Sequence, residues 1–193
     1  MGISQYIKEI GRGPRGSKPL TREQAADLFG QLLDGNVTDL EIGAFCLAMR
    51  IKGETPEEMC GFLDAAHSRM ALFPASDRPV IARPSANGAR TLPVLTPLLA
   101  LLLAREGLPV LLHGMRTEAR RTLASDVLLA LGVPALTAPE KIATGSVAHI
   151  ETGYLHAALA RLLKVREVVG LRNAGHSIVK LMNPCAGPAV VVT

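Results

Sequence analysis

Aromatic residues are almost missing from this chain: it has no Trp, two Tyr and four Phe. A nucleic-acid binder of the base-stacking kind needs exposed aromatic platforms, and six rings in 193 residues cannot supply a series of them. Cysteine is equally scarce. Cys46, Cys60 and Cys185 are odd in number and lack metal-ligand spacing, so they read as core thiols in a reducing compartment rather than a disulfide or zinc framework. No zinc finger or helix-turn-helix signature is present, and no metal site is expected. The most apolar run, Leu98 to Ala104, is far shorter than the roughly 20 residues a membrane span needs. Met1 to Ile10 mixes charge with apolar residues and does not resemble a leader. The expectation is a cytoplasmic protein that does not engage a membrane.

What is present is aliphatic. Apolar residues make up 48% of the sequence, so the core must be Leu, Ala, Val and Ile. The first third is written as helices with repeated start signals. Thr21-Arg22-Glu23-Gln24, Thr38-Asp39-Leu40-Glu41 and Thr55-Pro56-Glu57-Glu58 each place a hydroxyl three residues before a Gln or Glu. In that spacing each side chain can cover an orphan backbone N–H at the helix start. Behind these boxes, Ala25, Leu28, Phe29, Leu32 and Leu33 fall on one helical face. Ile42, Phe45, Cys46 and Met49 form a second stripe, and Met59, Phe62, Leu63, Ala66 and Met70 a third. Gly35 supplies a stop.

From Pro79 the pattern alternates. Strands are expected at 79–82, 109–112 and 147–150, with helices at 95–106 and 125–131, the latter closed by Gly132. That order implies parallel pairing with crossovers, and ligands then bind beyond the carboxyl ends of the strands, at 83–90 and 113–121. Residues 170–184 read as a basic, helical segment. The domains expected are a helical bundle at 1–75, joined by helices from about 155–182, and the start of an α/β domain at 76–154 and 183–193. The apolar strand 190–193 has no crossover after it, which reads as the N-terminal part of a longer fold.

Charge follows the same division. Residues 1–75 hold 8 Lys and Arg against 10 Asp and Glu, whereas residues 76–193 hold 13 against 7. The second part is therefore expected to meet an anion: phosphate, nucleic acid or an acidic partner. A solvated basic surface is the plainer reading. Arg83, Arg90, Arg116, Arg120 and Arg121 gather where strands should end, and arginine matches phosphate with a planar fork of donors. His176 and Lys180 stand one helical turn apart, and Lys164 and Arg166 extend the basic set. Gly11 to Lys18 is either a flexible basic arm or a linker. Lone His67, His149 and His156 fit surface or core roles. Thr122 and Ser125 read as caps for the helix that follows, and Glu118 as an ion-pair partner for Arg121.

Residues 20–61, LTREQAADLFGQLLDGNVTDLEIGAFCLAMRIKGETPEEMCG, resemble the opening helices of anthranilate phosphoribosyltransferases, of the glycosyltransferase family 3 superfamily. The frame Asp126-Val127-Leu128-Leu129-Ala130-Leu131-Gly132-Val133 extends the likeness. The resemblance implies their nucleoside phosphorylase/phosphoribosyltransferase class III fold: a helical domain and an α/β domain with phosphoribosyl diphosphate between. It also implies a Gly-Thr-Gly-Gly-Asp diphosphate loop at Pro84-Ser85-Ala86-Asn87-Gly88, and a Lys-His-Gly-Asn-Arg loop at Leu112-His113-Gly114-Met115-Arg116. The family's paired serines fall on Ala119 and Arg120, and Arg166 matches an arginine that contacts anthranilate. Pro84 brings no N–H to the cradle, and Ser85 and Asn87 return side chains to it. Gly88 replaces the carboxylate that helps hold magnesium, and Leu112 replaces the ammonium.

Ile7 to Gly13, Pro84-Ser85-x-Asn87-Gly88-Ala89-Arg90, Leu95 to Ala100 and Arg172-Asn173-x-x-His176 resemble one branch, the YbiB-like proteins. That likeness implies a homodimeric, non-sequence-specific nucleic-acid-binding protein, DNA being the expected partner, with no transferase activity, no catalytic residues and no cofactor. The alternative is a phosphoribosyltransferase acting on anthranilate or a related acceptor, which would need magnesium and phosphoribosyl diphosphate.

Overall fold

The computed structural model describes residues 2–13, 15–85, 88, 91–117 and 120–193. In chain order its elements are α1 (Ser4–Ile10), α2 (Arg22–Asp34), α3 (Asp39–Lys52), α4 (Pro56–His67), β1 (Val80–Pro84) and α5 (Thr96–Arg105). Then follow β2 (Val110–Gly114), α6 (Ala124–Ala130), β3 (Val147–Glu151), α7 (Thr152–Leu155), α8 (Ala157–Val169), α9 (Gly175–Leu181) and β4 (Ala189–Val191). The chain divides into a helical unit, Met1–Arg69 with Ala158–Ile178, and a sheet unit, Met70–Ala157 with Val179–Thr193. The first break falls at Arg69, six residues before the expected 75.

In the helical unit all three capping boxes form as read. The hydroxyls of Thr21, Thr38 and Thr55 accept from Gln24, Glu41 and Glu58 N–H, and the three longer side chains bond back to the caps. The stripe of α2 is buried in full, while Ile42, Met59 and Leu63 are half-buried. Three phenylalanines hold the centre: the Phe29 and Phe62 rings lie 4.9 Å apart, and Phe45 sits 5.9 Å from Phe62. Such tilted and edge contacts add about 0.5–1.5 kcal/mol each beyond the area they bury.

Glu58 does more than its box requires. Its side chain is fully buried and accepts from Leu20 N–H (2.8 Å), Thr55 N–H (2.9 Å) and Lys52 Nζ (2.6 Å). Lys52 also donates to the Gly53 carbonyl, so the end of α3 and the starts of α2 and α4 share one buried ion pair.

The sheet unit carries a parallel sheet in the order β3-β2-β1-β4. β2 is buried along its whole length, as a central parallel strand must be when both faces are covered. One core layer packs Ala100 and Ala104 of α5 and Ala124 and Leu128 of α6 on Val110 and Leu112. β1 runs two residues past its expected end and takes in Arg83 and Pro84. The alternation of ladder bonds explains the proline. Val80 N–H donates towards β4, and Ile81 and Ser85 N–H donate towards β2. The missing N–H of Pro84 therefore falls on the β4 side, beyond the register that ends at Ala82 and Val191. No helix among the described residues is long and apolar enough to cross a membrane.

Candidate functional site

β1 is where the sheet changes direction. The chain builds outward from β1 through β2 to β3, then returns to lay β4 on the other side of β1. A crevice opens beyond the carboxyl ends of strands at such a switch. Here it is a cleft of about 320 Å³ lined by Arg83, Ser85 and Gly88 after β1, by Leu95 and Thr96 at the start of α5, and by Lys180. α5 begins with no side-chain cap and with Pro97 in its first turn. Its first-turn N–H groups thus keep the partial positive charge of a helix N-terminus. Arg83 brings a buried Nε that has no hydrogen-bond partner among the described residues. Two cations, the hydroxyls of Ser85 and Thr96 and an uncapped helix start meet in one cleft, a chemistry complementary to an anion.

Gly88 is fixed by its surroundings. Its φ is +56°, and a Cβ there would stand 2.7 Å from the Thr122 carbonyl and 2.8 Å from Leu123 Cδ2. The backbone can fold inward at this point because the position carries no side chain.

The other expected site residues are dispersed. Arg116 is already engaged: its Nη2 donates to both Asp126 oxygens (2.7 and 2.6 Å) and its Nη1 to the Arg121 carbonyl (2.6 Å). It ties its loop to α6. Asp126 also accepts from Leu123 N–H, and these bonds, the Leu123 one first, hold its carboxyl below the usual range. Asp126 is thus the side chain that caps α6, in place of the expected Thr122 and Ser125, with Leu123 as the cap residue. Arg120 is exposed and Arg121 half-buried. Asn87, Arg90 and Glu118 lie outside the described residues.

His113, at the end of β2 beside Gly114, is fully buried and neither ring nitrogen is hydrogen-bonded. Burial, and secondarily the neighbouring His149, pushes its pKa down to about 4. It is a neutral core imidazole and does not line the cleft.

Lys164, Arg166, Arg172 and His176 belong to the helical unit. Lys164 is exposed, and Arg166 and Arg172 are half-buried. His176 corrects the expectation of a basic helix face. It is buried, and Asn173 donates its N–H to Nδ1 (3.3 Å) while its side chain donates to the Leu162 carbonyl (2.8 Å). Of the expected pair one turn apart, only Lys180 faces a cleft. The junction of Lys180 with Arg83 is not legible from spacing, because 97 positions separate them. The start of α5 is legible, since Thr96-Pro97 ahead of an apolar run is a helix-start signal.

Residues 4–70 match the family model of the glycosyl transferase family, helical bundle domain. The chain is 38% identical over 192 residues to the uncharacterized protein YbiB of Escherichia coli (strain K12), covering 96% of this chain and 60% of that protein. It is 33% identical over 182 residues to the anthranilate phosphoribosyltransferase of Desulfosudis oleivorans, covering 91% of this chain and 53% of the enzyme. Among solved structures, the anthranilate phosphoribosyltransferase of Thermus thermophilus superposes with a TM-score of 0.77 at 24% identity, over 97% of this chain and 58% of that one. The fold is therefore that of the anthranilate phosphoribosyltransferases, with a helical domain and a parallel α/β sheet. Within it, the sequence is consistent with the YbiB-like branch of the glycosyltransferase family 3 superfamily. It spans between half and two thirds of the length of these relatives.

Proposed function

We propose that the protein binds the phosphate backbone of nucleic acid, DNA above all, without sequence preference, and that it has no transferase activity. The observation that carries this reading is the convergence of Arg83, Lys180, Ser85 and the uncapped start of α5 in the switch-point cleft. No Asp or Glu stands among the described residues lining it, which favours a bare phosphodiester over a metal-chelated diphosphate. Gly88 points the same way, since its position admits no carboxylate in this backbone conformation. The lack of sequence preference is what the resemblance to the YbiB-like branch implies, and phosphate contacts position a duplex without reading it.

The test is a titration of fluorescently labelled DNA duplexes of unrelated sequence at several salt concentrations. Affinity should be similar across sequences and fall steeply with salt, because neutralised phosphates release condensed counterions. Arg83→Ala with Lys180→Ala should flatten the slope of log K against log salt by about 1.8, that is about 0.9 per contact. Salt-insensitive binding, or a slope untouched by the double substitution, would remove nucleic acid from this cleft.

A second reading is phosphoribosyl transfer to anthranilate or a related acceptor, favoured by the names of the relatives at 33% identity. It predicts phosphoribosyl anthranilate from phosphoribosyl diphosphate, anthranilate and magnesium, and turnover in that assay would replace the first reading. A homodimer fits either. Leu40, Leu47 and Ile51 lie along one face of α3 and are 83%, 43% and 64% exposed, a surface suited to pairing across a two-fold axis. Sedimentation of the intact chain and of a Leu40→Lys/Ile51→Lys variant measures it.

A further inference from the structure

The segment between α1 and α2 is built as a closed loop. Lys18 N–H donates to the Glu9 carbonyl (3.1 Å), and Ser17 Oγ donates to the carbonyls of Ile10 (2.9 Å) and Gly13 (2.6 Å). Gly16 and Ser17 N–H both donate to Gly13 as well. Three glycines allow this winding. Gly13 has φ +77°, a Cβ on Gly11 would stand 2.7 Å from the Ile7 carbonyl, and one on Gly16 would stand 3.0 Å from Arg12 Cβ. Sequence alone allows a flexible arm or a linker here, and the bonds favour neither.

The closed loop presents cations. Lys8, Arg12, Arg15 and Lys18 are exposed; only Arg12 has a carboxylate partner among the described residues, Glu9 at 2.8 Å. Charge in this unit is segregated along the sequence. Residues 4–20 hold four Lys and Arg against one Glu, residues 21–69 hold four against nine Asp and Glu, and residues 158–178 hold four against one Glu. A loop that presents four exposed cations beside a single carboxylate has an anion as its complement.

We infer that Lys8, Arg12, Arg15 and Lys18, on and beside this loop, form a second phosphate-contacting surface for nucleic acid, separate from the cleft of the sheet unit. The inference rests on the proposed function for its ligand, yet it concerns residues of the other unit. Phosphates are spaced regularly along a duplex, so a binder without sequence preference gains affinity with each further contact and loses nothing in specificity.

The experiment compares the intact chain with its Arg15→Ala/Lys18→Ala variant, using labelled DNA duplex at salt concentrations from about 50 to 200 mM. The salt slope should flatten by about 1.8, uniformly across sequences. The charge-keeping Arg15→Lys/Lys18→Arg variant should retain the original slope. Combining the loop and cleft substitutions should give the sum of their separate slope changes. Both loop residues are exposed, so thermal unfolding should be unchanged. DNA binding that persists with an unaltered slope in Arg15→Ala/Lys18→Ala overturns the inference and leaves the cleft reading standing. Retained DNA binding together with lost binding to anionic lipid vesicles would assign the loop to a membrane surface, and likewise overturn it. A wild-type chain that shows no salt-dependent DNA binding would sink the cleft reading and this one together.

Discussion

The two units differ most in how their helix starts and their buried charged groups are satisfied. In the helical unit, three starts are capped by neighbours in sequence, and the buried Glu58 has three donors aimed at it. In the sheet unit, α5 starts without a side-chain cap, Arg83 Nε and both His113 ring nitrogens have no partner among the described residues, and Leu98 and Leu102 of α5 are 53% and 44% exposed. The first is finished by residues from three to 38 positions apart. The second leaves donors and apolar surface open at its strand ends and on its outer helix. Polar groups left open inside a fold are where ligands act, and groups that are satisfied hold the scaffold still.

The sharpest way to break this contrast is at Glu58. Glu58→Ala strands the buried Lys52 ammonium and the Leu20 and Thr55 N–H groups, and should cost about 3–5 kcal/mol. Chemical unfolding followed by hydrogen exchange in α2 and α4 reads it. A loss below about 1 kcal/mol would mean that water replaces the carboxylate there.

Acid should strike the sheet unit instead. His113 takes up its proton only near pH 4 when folded, against an ordinary 6.5 when unfolded. The unfolded chain then binds the proton first. The contribution of neutral His113 is full above about pH 6.5 and is lost as pH falls towards 4, by up to about 3 kcal/mol. His149 adds to the same trend, its pKa lowered by burial while Glu151 and Asp126 oppose the shift. Hydrogen exchange in β2 at pH 7 and pH 5 measures the effect, and His113→Leu should flatten it.

Gly88→Asp returns a carboxylate to the cleft but strains the turn. A left-handed backbone and a collision with the Thr122 carbonyl should destabilise the sheet unit by about 1–3 kcal/mol. A neutral outcome would show that the loop rearranges with ease. Smallest of all, Thr21→Ala should remove about 1 kcal/mol from the helical unit, read by its thermal midpoint.

Legibility follows the range of the interactions. The capping boxes, the α2 stripe and the β2 strand are plain in the sequence because each is set by residues within one or two turns. Glu58 reads as a cap, and its second role is hidden because Leu20 lies 38 positions away. Arg116 reads as a phosphate ligand, whereas Asp126, ten positions on, holds it. His176 looks like a surface base, since nothing local shows that a turn around Asn173 buries it. Arg83 is expected beyond β1, and the extra strand length that carries it comes from its pairing with Leu112 of β2, 29 positions on.

Both units are interrupted in sequence, and that has a consequence for how the chain is made. The helical unit waits for residues 158–178, and the sheet unit for 179–193. Neither can close while the ribosome is still extending the middle of the chain. α2, α3 and α4 emerge first with their caps in place and can begin to pack at once. β1 emerges with an apolar edge and stays without its β4 neighbour for more than a hundred residues. Parallel pairing at that separation is slow, since so long a loop must be ordered before its contacts form. During synthesis the exposed edge of β1, rather than any helix, is therefore the stretch most in need of protection from other chains.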